Sequence, residues 1–334
     1  MASQTPTLAD IAKRAGVSKV TVSKCLKNDP RYSQATRKKI QRLARSMGYR
    51  PNPLVTALMT QLPRHRKQGA SEAIAIVSTT QGTLTGFEIH EGYVQGIERR
   101  ADALGFGCER FEPIREGITF DRLFDVLRAR GIHAFILLPP TRPEMELHPT
   151  ALDGLVGAVI GHGLLAPRLH VSAPWYFQHV YLACEKMHAL DPEAPVGLAL
   201  SKLGNERTYH QYLGAYQAFH VERGLPAAPL FDRRVEQGPE AFRQWIEEHG
   251  IRMLLDQGVT MLPRLKRLPK SWNVRLFTLQ RETATGRRIS GIDQNMPLVG
   301  AKAVDLVSAY LYRNETGVPE NAALSHVPGV WIDK

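Results

Sequence analysis

The tightest constraint on this chain is the spacing of apolar residues between Thr7 and Met47, where three short helical stripes are cut apart by turn-forming residues. Leu8, Ile11, Ala12 and Ala15 stand at i, i+3, i+4 and i+7, one apolar face of a helix that Thr7 is placed to cap. Gly16-Val17 supplies a tight turn, Ser18 caps a second helix, and Val22, Cys25 and Leu26 repeat the pattern. Asn28-Asp29-Pro30 ends that helix. Ser33 opens a third, in which Ile40, Leu43, Ala44 and Met47 share a face before Gly48 closes it.

Charge says what such a module would meet. Residues 1–70 hold 15 of the 43 lysines and arginines but only two of the 32 acids, Asp10 and Asp29, a local net of +13 against −2 for the remainder. A basic balance confined to one end is the footprint of a polyanion partner, and its helix periodicity argues against a merely solvated tail. Three short helices with a glycine turn between the first two form a helix-turn-helix, whose second helix lies in the major groove of DNA. Its outward residues are then Lys19, Val20, Thr21, Ser23 and Lys24. The two lysines can donate to guanine O6 and N7, Val20 can touch a thymine methyl, and the hydroxyls of Thr21 and Ser23 suit phosphate oxygens. Thr7, Ser18, Lys27, Arg31, Ser33, Thr36 and Tyr49 complete the candidate contacts of this domain, residues 1–49. Cys25, on the apolar side, reads as a small buried hydrophobe rather than a redox switch.

Beyond it, Asn52 is a good N-cap and Pro53 fits the first position of a helix running to Met59. At about two turns it falls below the ~12–15 residues at which an isolated helix is even marginal. It should order only when DNA or a partner subunit holds it.

Thr7-Leu8-Ala9-Asp10-Ile11-Ala12, Ala15-Gly16-Val17-Ser18, Thr21-Val22-Ser23 and Tyr49-Arg50-Pro51-Asn52 together resemble the lactose-repressor (LacI) family of bacterial transcription regulators. The resemblance implies that Lys19, Val20 and Lys24 occupy base-reading positions, with Lys24 where that family usually has arginine. It also implies that Asn52 to Met59 is a hinge helix with Ala57 and Leu58 among its DNA contacts, Leu58 as a minor-groove wedge, as packing between the paired hinge helices, or both. The hinge and a basic linker span residues 50–71. Within it Pro63-Arg64-His65-Arg66-Lys67 either adds phosphate contacts or is a solvated tether.

From Glu72 onward strands and helices alternate, which implies parallel sheets covered on both faces. The pattern places strands at 73–79, 106–111, 132–138, 195–200, 251–255 and 274–279, and helices at 88–104, 120–130, 209–223, 241–249 and 299–311. The fold class expected is α/β: the helix-turn-helix and hinge, then two Rossmann-like parallel-sheet lobes. Gly96-Ile97-Glu98, Leu213-Gly214-Ala215-Tyr216 and Gly291-Ile292-Asp293-Gln294-Asn295 extend the resemblance to the family's effector domain, which is similar to periplasmic sugar-binding proteins. It implies an effector-binding and dimerisation domain over 72–334, with lobe crossings near 173, 289 and 317.

Candidate effector contacts follow by the same resemblance. Gln211 stands where the family commonly has an arginine, and Gln280 where it commonly has an acid. Arg207 substitutes for the former or is an exposed helix-start arginine. Trp175 opens Trp175-Tyr176-Phe177, which either stacks on a sugar ring or covers the core. Phe87 and His90 follow the first strand on the side where α/β sheets place ligands, and Asp293 lies in the cleft or caps a turn.

Other classes fit less well. There is no His-Glu-x-x-His, no Gly-x-x-x-x-Gly-Lys and no Gly-x-Ser-x-Gly, and Cys25, Cys108 and Cys184 have no metal or disulfide spacing. No apolar run approaches a membrane span and Met-Ala-Ser-Gln-Thr-Pro lacks a signal-peptide pattern, so a cytoplasmic, nucleoid-associated protein is expected. The reading is a homodimeric repressor, without catalytic residues, cofactor or metal, on a near-palindromic DNA operator under control of a sugar-like small molecule. Its rival is a DNA-architectural protein whose body no longer binds an effector.

Overall fold

The structure, a computed structural model, describes residues 8–26, 31–47, 49, 72–80, 88–140, 145–232, 238–281 and 288–334. Its contacts divide the chain into two compact units, Met1–Arg66 and Lys67–Lys334.

The first unit contains α1 (Leu8–Ala15), α2 (Lys19–Leu26) and α3 (Gln34–Ser46). Gly16 takes the left-handed conformation at φ 67°, which lets Val17 N close back on the Ala12 carbonyl at 3.1 Å and turns the chain into α2. The stripes read from the sequence converge: Ile11, Ala12, Val22, Cys25, Ile40 and Ala44 are buried together. Burial of Cys25 against Val22 and Ile40 fits its reading as a small hydrophobe. Gln41 Nε2 donates to the Cys25 carbonyl at 3.1 Å, so α3 satisfies one open carbonyl near the end of α2.

The second unit opens with β1 (Ala73–Val77), α4 (Glu88–Ala103), β2 (Gly107–Phe111), α5 (Phe120–Ala129) and β3 (Ala134–Leu137). A small ribbon of β4 (Met145–Glu146) and β6 (Leu164–Ala166) brackets β5 (Val156–Ile160), and β7 (His170–Pro174) leads into α6 (Tyr176–Leu190). Then come β8 (Val196–Leu200), α7 (Lys202–Arg207), α8 (Gln211–Glu222), β9 (Phe231–Asp232), α9 (Pro239–Glu248), β10 (Met253–Asp256) and β11 (Arg275–Thr278). The chain ends with β12 (Gly291–Asp293), α10 (Met296–Arg313), β13 (Leu324–Val327) and β14 (Val330–Ile332).

These strands build two sheets. The first has the order β13-β7-β5-β3-β1-β2, all parallel, and the second β14-β12-β11-β10-β8-β9, parallel except for β14 against β12. Buried strands such as Ala134–Leu137 and Val196–Leu200 are apolar on both faces, as parallel sheets covered by helices require. In the first lobe α10 lies so close to α4 that a Cβ on Gly96 would sit 1.8 Å from the Pro297 carbonyl oxygen.

The sheets place the lobe crossings at β7 to α6, β12 to α10, and β13 to β14. The second and third differ from the expected 289 and 317. Gly291 pairs with Thr278, which keeps the chain in the second lobe through Asp293, and Leu324–Val327 pairs with β7, which keeps it in the first lobe through Val327. The segment between α10 and β13 stays on the first lobe because Gly317 N donates to the Leu155 carbonyl and Ala323 N to His170 Nδ1. One expected helix is also corrected. Residues 209–223 do not form one helix: Tyr209 and His210 have positive φ, which no right-handed helix accepts, and α8 starts at Gln211.

Candidate functional site

The candidate DNA-reading surface is α2 and its flanks. Ser18 Oγ accepts Thr21 N at 3.0 Å and lies 2.9 Å from the Thr21 hydroxyl, so both residues fix the start of α2. Ser33 and Thr36 repeat the arrangement on α3, with Thr36 N donating to Ser33 Oγ at 3.2 Å. Four of the candidate DNA contacts, Ser18, Thr21, Ser33 and Thr36, are thus, first, the pins that set helix position. Lys19 is exposed, Ser23 and Lys24 are half-exposed on the same helix, and Arg31 is exposed just before α3. Tyr49 packs against the module core, its N–H on the Ala44 carbonyl at 2.9 Å. Exposed Lys13, Arg14, Lys38, Lys39, Arg42 and Arg45 add cationic surface that the sequence reading did not single out. Thr7, Lys27, Asn52, Ala57, Leu58 and Phe87 lie outside the described residues, as does the side chain of Val20 and the whole expected hinge helix.

The second candidate region is the cleft at the carboxyl ends of the strands, where open α/β sheets bind ligands. His90, buried at the start of α4, has its pKa lowered by burial. Arg207 ends α7 and points Nη1 at the Pro140 carbonyl of the other lobe, 3.4 Å away. Gln211 and Gln280 are half-buried, Gln280 through a turn in which its N–H meets Thr278 Oγ1 at 3.1 Å. Asp293 accepts Asn295 N at 2.8 Å, so of the two roles expected for it the turn cap is visible. Trp175 is the residue before α6, half-open to solvent, and stacks on His326 at 6.3 Å with planes 9° apart.

A group of rings between the lobes was missed by the sequence reading. His162 follows β5, and its Nε2 lies 3.4 Å from His326 Nε2 on β13. The His162 ring also meets Tyr176 at 6.1 Å and, from the second lobe, Tyr209 at 5.5 Å. Burial and the neighbouring His326 push the His162 pKa down to about 4, and burial lowers His326 as well. The group is therefore neutral near pH 7, with one imidazole able to donate to the other. His179, buried one turn into α6, is likewise held at about 4, first by desolvation. His162 and His326 are 164 residues apart, with no spacing that announces the pair. Among the described residues no cluster of His, Cys, Asp and Glu could hold a metal, and no helix is long and apolar enough to cross a membrane.

Comparison with known proteins follows this geometry. Residues 7–52 match the family described as bacterial regulatory proteins, lacI family. The transcriptional regulator DegA of Bacillus subtilis is 31% identical over 134 residues, 39% of this chain and 35% of DegA. The transcriptional repressor CytR of Escherichia coli is 46% identical over 48 residues, 14% of each chain. The matches with these curated relatives thus span about a third of their length or less. Among solved structures, a complex of the transcriptional regulator CelR with cellobiose has a TM-score of 0.59 at 18% identity, over 98% of both chains. The lac repressor dimer bound to operator and an anti-inducer gives 0.56 at 17%, also over 98% of both. At such identity these two structures establish the fold, and the N-terminal match supplies what fold alone cannot. Residues 7–52 are therefore similar to the lacI family of bacterial regulatory proteins, and the fold of the chain is similar to that of these two solved structures.

Proposed function

We propose that this protein is a DNA-binding transcriptional repressor that works as a homodimer on a near-palindromic operator and is controlled by a small molecule. The observation that carries the reading is α2: a helix capped by Ser18, with Lys19 exposed and Lys24 half-exposed, in a module of strongly positive charge. One such module contacts few bases, whereas two related by a twofold axis read a symmetric site. The segment Asn52 to Met59 would fold as a hinge in the minor groove between the half-sites, with Leu58 as the wedge. The two-lobed body supplies the control: a ligand that prefers one lobe arrangement changes whether the hinges can pair on DNA. That the similar CelR structure holds cellobiose, and that the lac repressor structure holds operator, supports the class of both partners.

The test is selection of bound sequences from random duplex DNA, repeated with a panel of sugars and sugar acids. A palindrome whose enrichment changes with one compound supports the whole reading, and no palindrome overturns the DNA role. Lys24→Ala should relax base preference at one position by about 1–3 kcal/mol, while Arg42→Ala should weaken all sequences alike and flatten the salt slope. Equal losses for Lys24→Ala on specific and random DNA would remove it from the base-reading set. A second reading, a body without an effector, is favoured by uncharged Gln211 and Gln280 at two positions the family usually fills with charge. A palindrome indifferent to every compound would support it.

A further inference from the structure

Residues 264–288 carry eight lysines and arginines against one acid, Glu282, a net of +7 in a body whose whole balance is −2. Elsewhere in the body arginines pair with acids, as Arg100 does with Asp305, Arg110 with Glu98 and Arg130 with Glu109, each at 2.6–2.7 Å. Among the described residues no cation of this stretch stands in an ion pair. Like charges crowded together repel, so the arrangement costs stability until an anion joins it.

The stretch borders a pocket of about 340 Å³ in the second lobe. One wall is the one-turn helix Leu262–Leu265, whose two leucines line it. The sheet supplies the floor through Val274 and Leu276, which flank Arg275 at the start of β11 and share one face. Arg275 turns to the other face, where its guanidinium lies 5.2 Å from the Phe277 ring centroid. The four apolar side chains are only half-buried, so the pocket leaves apolar surface open to water. Around them stand exposed Lys266, Arg288 and Lys334, with Lys334 N donating to Ser290 Oγ at 3.0 Å. This pocket is separate from the cleft. Val274 and Leu276 lie at the amino end of β11 and Arg288 comes before β12, whereas the cleft lies at the carboxyl ends of these strands. Every lining residue belongs to the second lobe, so a ligand here requires no particular lobe separation.

We propose that this pocket is a second ligand site, which takes a small amphiphilic anion: an apolar chain or ring on Leu262, Leu265, Val274 and Leu276, with a carboxylate head against Lys266 and Arg288. A guanidinium offers a carboxylate two parallel N–H donors and an ammonium adds a point charge. The apolar floor gains by leaving water. A bare inorganic anion would leave the floor wet, and an uncharged apolar compound would leave the cations uncompensated.

The test is calorimetric titration of the full-length chain with octanoate and indole-3-acetate. Acetate and sulfate serve as anions without an apolar body, and octylammonium as an apolar body of opposite charge. The expected result is saturable binding of octanoate, which identifies a chain, or of indole-3-acetate, which identifies a ring. Acetate, sulfate and octylammonium should each bind about tenfold more weakly or worse. Lys266→Ala and Arg288→Ala should each weaken binding about threefold or more, and the double variant about tenfold or more. Both residues are exposed, so the variants should melt with the parent, which separates lost binding from lost folding. Affinity unchanged in the double variant overturns the site, since a compound held in the cleft would not sense these residues. Octylammonium matching octanoate overturns the anionic head, and acetate or sulfate matching it overturns the apolar half. Binding of neither amphiphilic anion overturns the proposal, and weaker binding of random duplex DNA by the double variant would then assign the patch to nucleic acid.

Discussion

The N-terminal module and the α/β body solve the burial problem on different scales. Among the described residues the module buries only Ile11, Ala12, Val22, Cys25, Ile40 and Ala44 as its apolar core. One lobe of the body gathers separate apolar clusters on the two faces of a single sheet, Ile74, Ile76 and Val299 on one side and Val77, Phe124 and Phe135 on the other. Small units bury a smaller fraction of their surface and sit nearer the stability threshold. The module is therefore the part of the chain most exposed to loss of a single side chain. Ile40→Ala should cost about 2–5 kcal/mol, enough to unfold the module and abolish the DNA binding proposed for it. Calorimetry of the full chain would then keep the body transition and lose the module's. A module that survives this change at ordinary temperature would break the comparison.

Glycines sharpen it next. In the body Gly96 is steric: an added Cβ would sit 1.8 Å from the Pro297 carbonyl oxygen, inside the contact between α4 and α10. Gly96→Ala should cost about 1–3 kcal/mol or more through forced separation of two helices. In the module Gly16 is conformational. Nothing lies within 4 Å of its missing Cβ, but its φ is 67°, so Gly16→Ala should cost about 1–2 kcal/mol from the backbone alone. Substitution by Asn, which tolerates the left-handed region, should recover much of the loss at Gly16 and none at Gly96.

Acid should separate the two units as well. Burial first of all holds His162, His170 and His179 at about 4 in the fold, against an ordinary 6.5. Between those values the unfolded chain binds protons that the folded body refuses, so body stability is full above about 6.5 and falls as pH drops toward 4. No histidine lies between Leu8 and Tyr49, so the module transition should show none of this slope. His170→Gln should flatten the body's slope. Its Nδ1 accepts Ala323 N at 3.1 Å, a role a glutamine oxygen can take without a proton equilibrium. An unchanged slope in this variant would remove His170 from the titrating set.

The same difference in scale governs what could be read in advance. In the module the determinants are local: Gly16, Ser18 and Ser33 announce their turns and caps a few residues from where they act. The main alternation of the body was legible too, because Ala73–Val77, Ala134–Leu137 and Val196–Leu200 are apolar runs of strand length. Gly291–Asp293 and Leu324–Val327 were not, since strands of three or four residues carry little pattern and are fixed by partners elsewhere in the chain. The turn at Tyr209-His210 was read as helix because neither residue is a turn former; Asn205 imposes it. For the cleft, sequence offered positions such as Gln211 and Asp293 by resemblance. His162 and His326 meet only after the lobes have folded, and no local signal reports that.

The smallest expected effect compares one interaction in both settings. Ser33 caps α3 by accepting Thr36 N at 3.2 Å, and Thr119 caps α5 by accepting Arg122 N at 3.2 Å. Ser33→Ala and Thr119→Ala should each cost about 1 kcal/mol, since each leaves one helix N–H without its partner. The shift in melting temperature should nonetheless differ. A change of 1 kcal/mol moves Tm by about 4–8 °C in a unit of 60–100 residues and about 2–4 °C in one of 150–250, because the larger unit unfolds with more entropy. The module transition should therefore fall about twice as far as that of the body, measured in one full-length protein by two-transition calorimetry. Equal shifts would mean that the two units melt as one cooperative system, and the module would then owe its stability to the body rather than to its own small core.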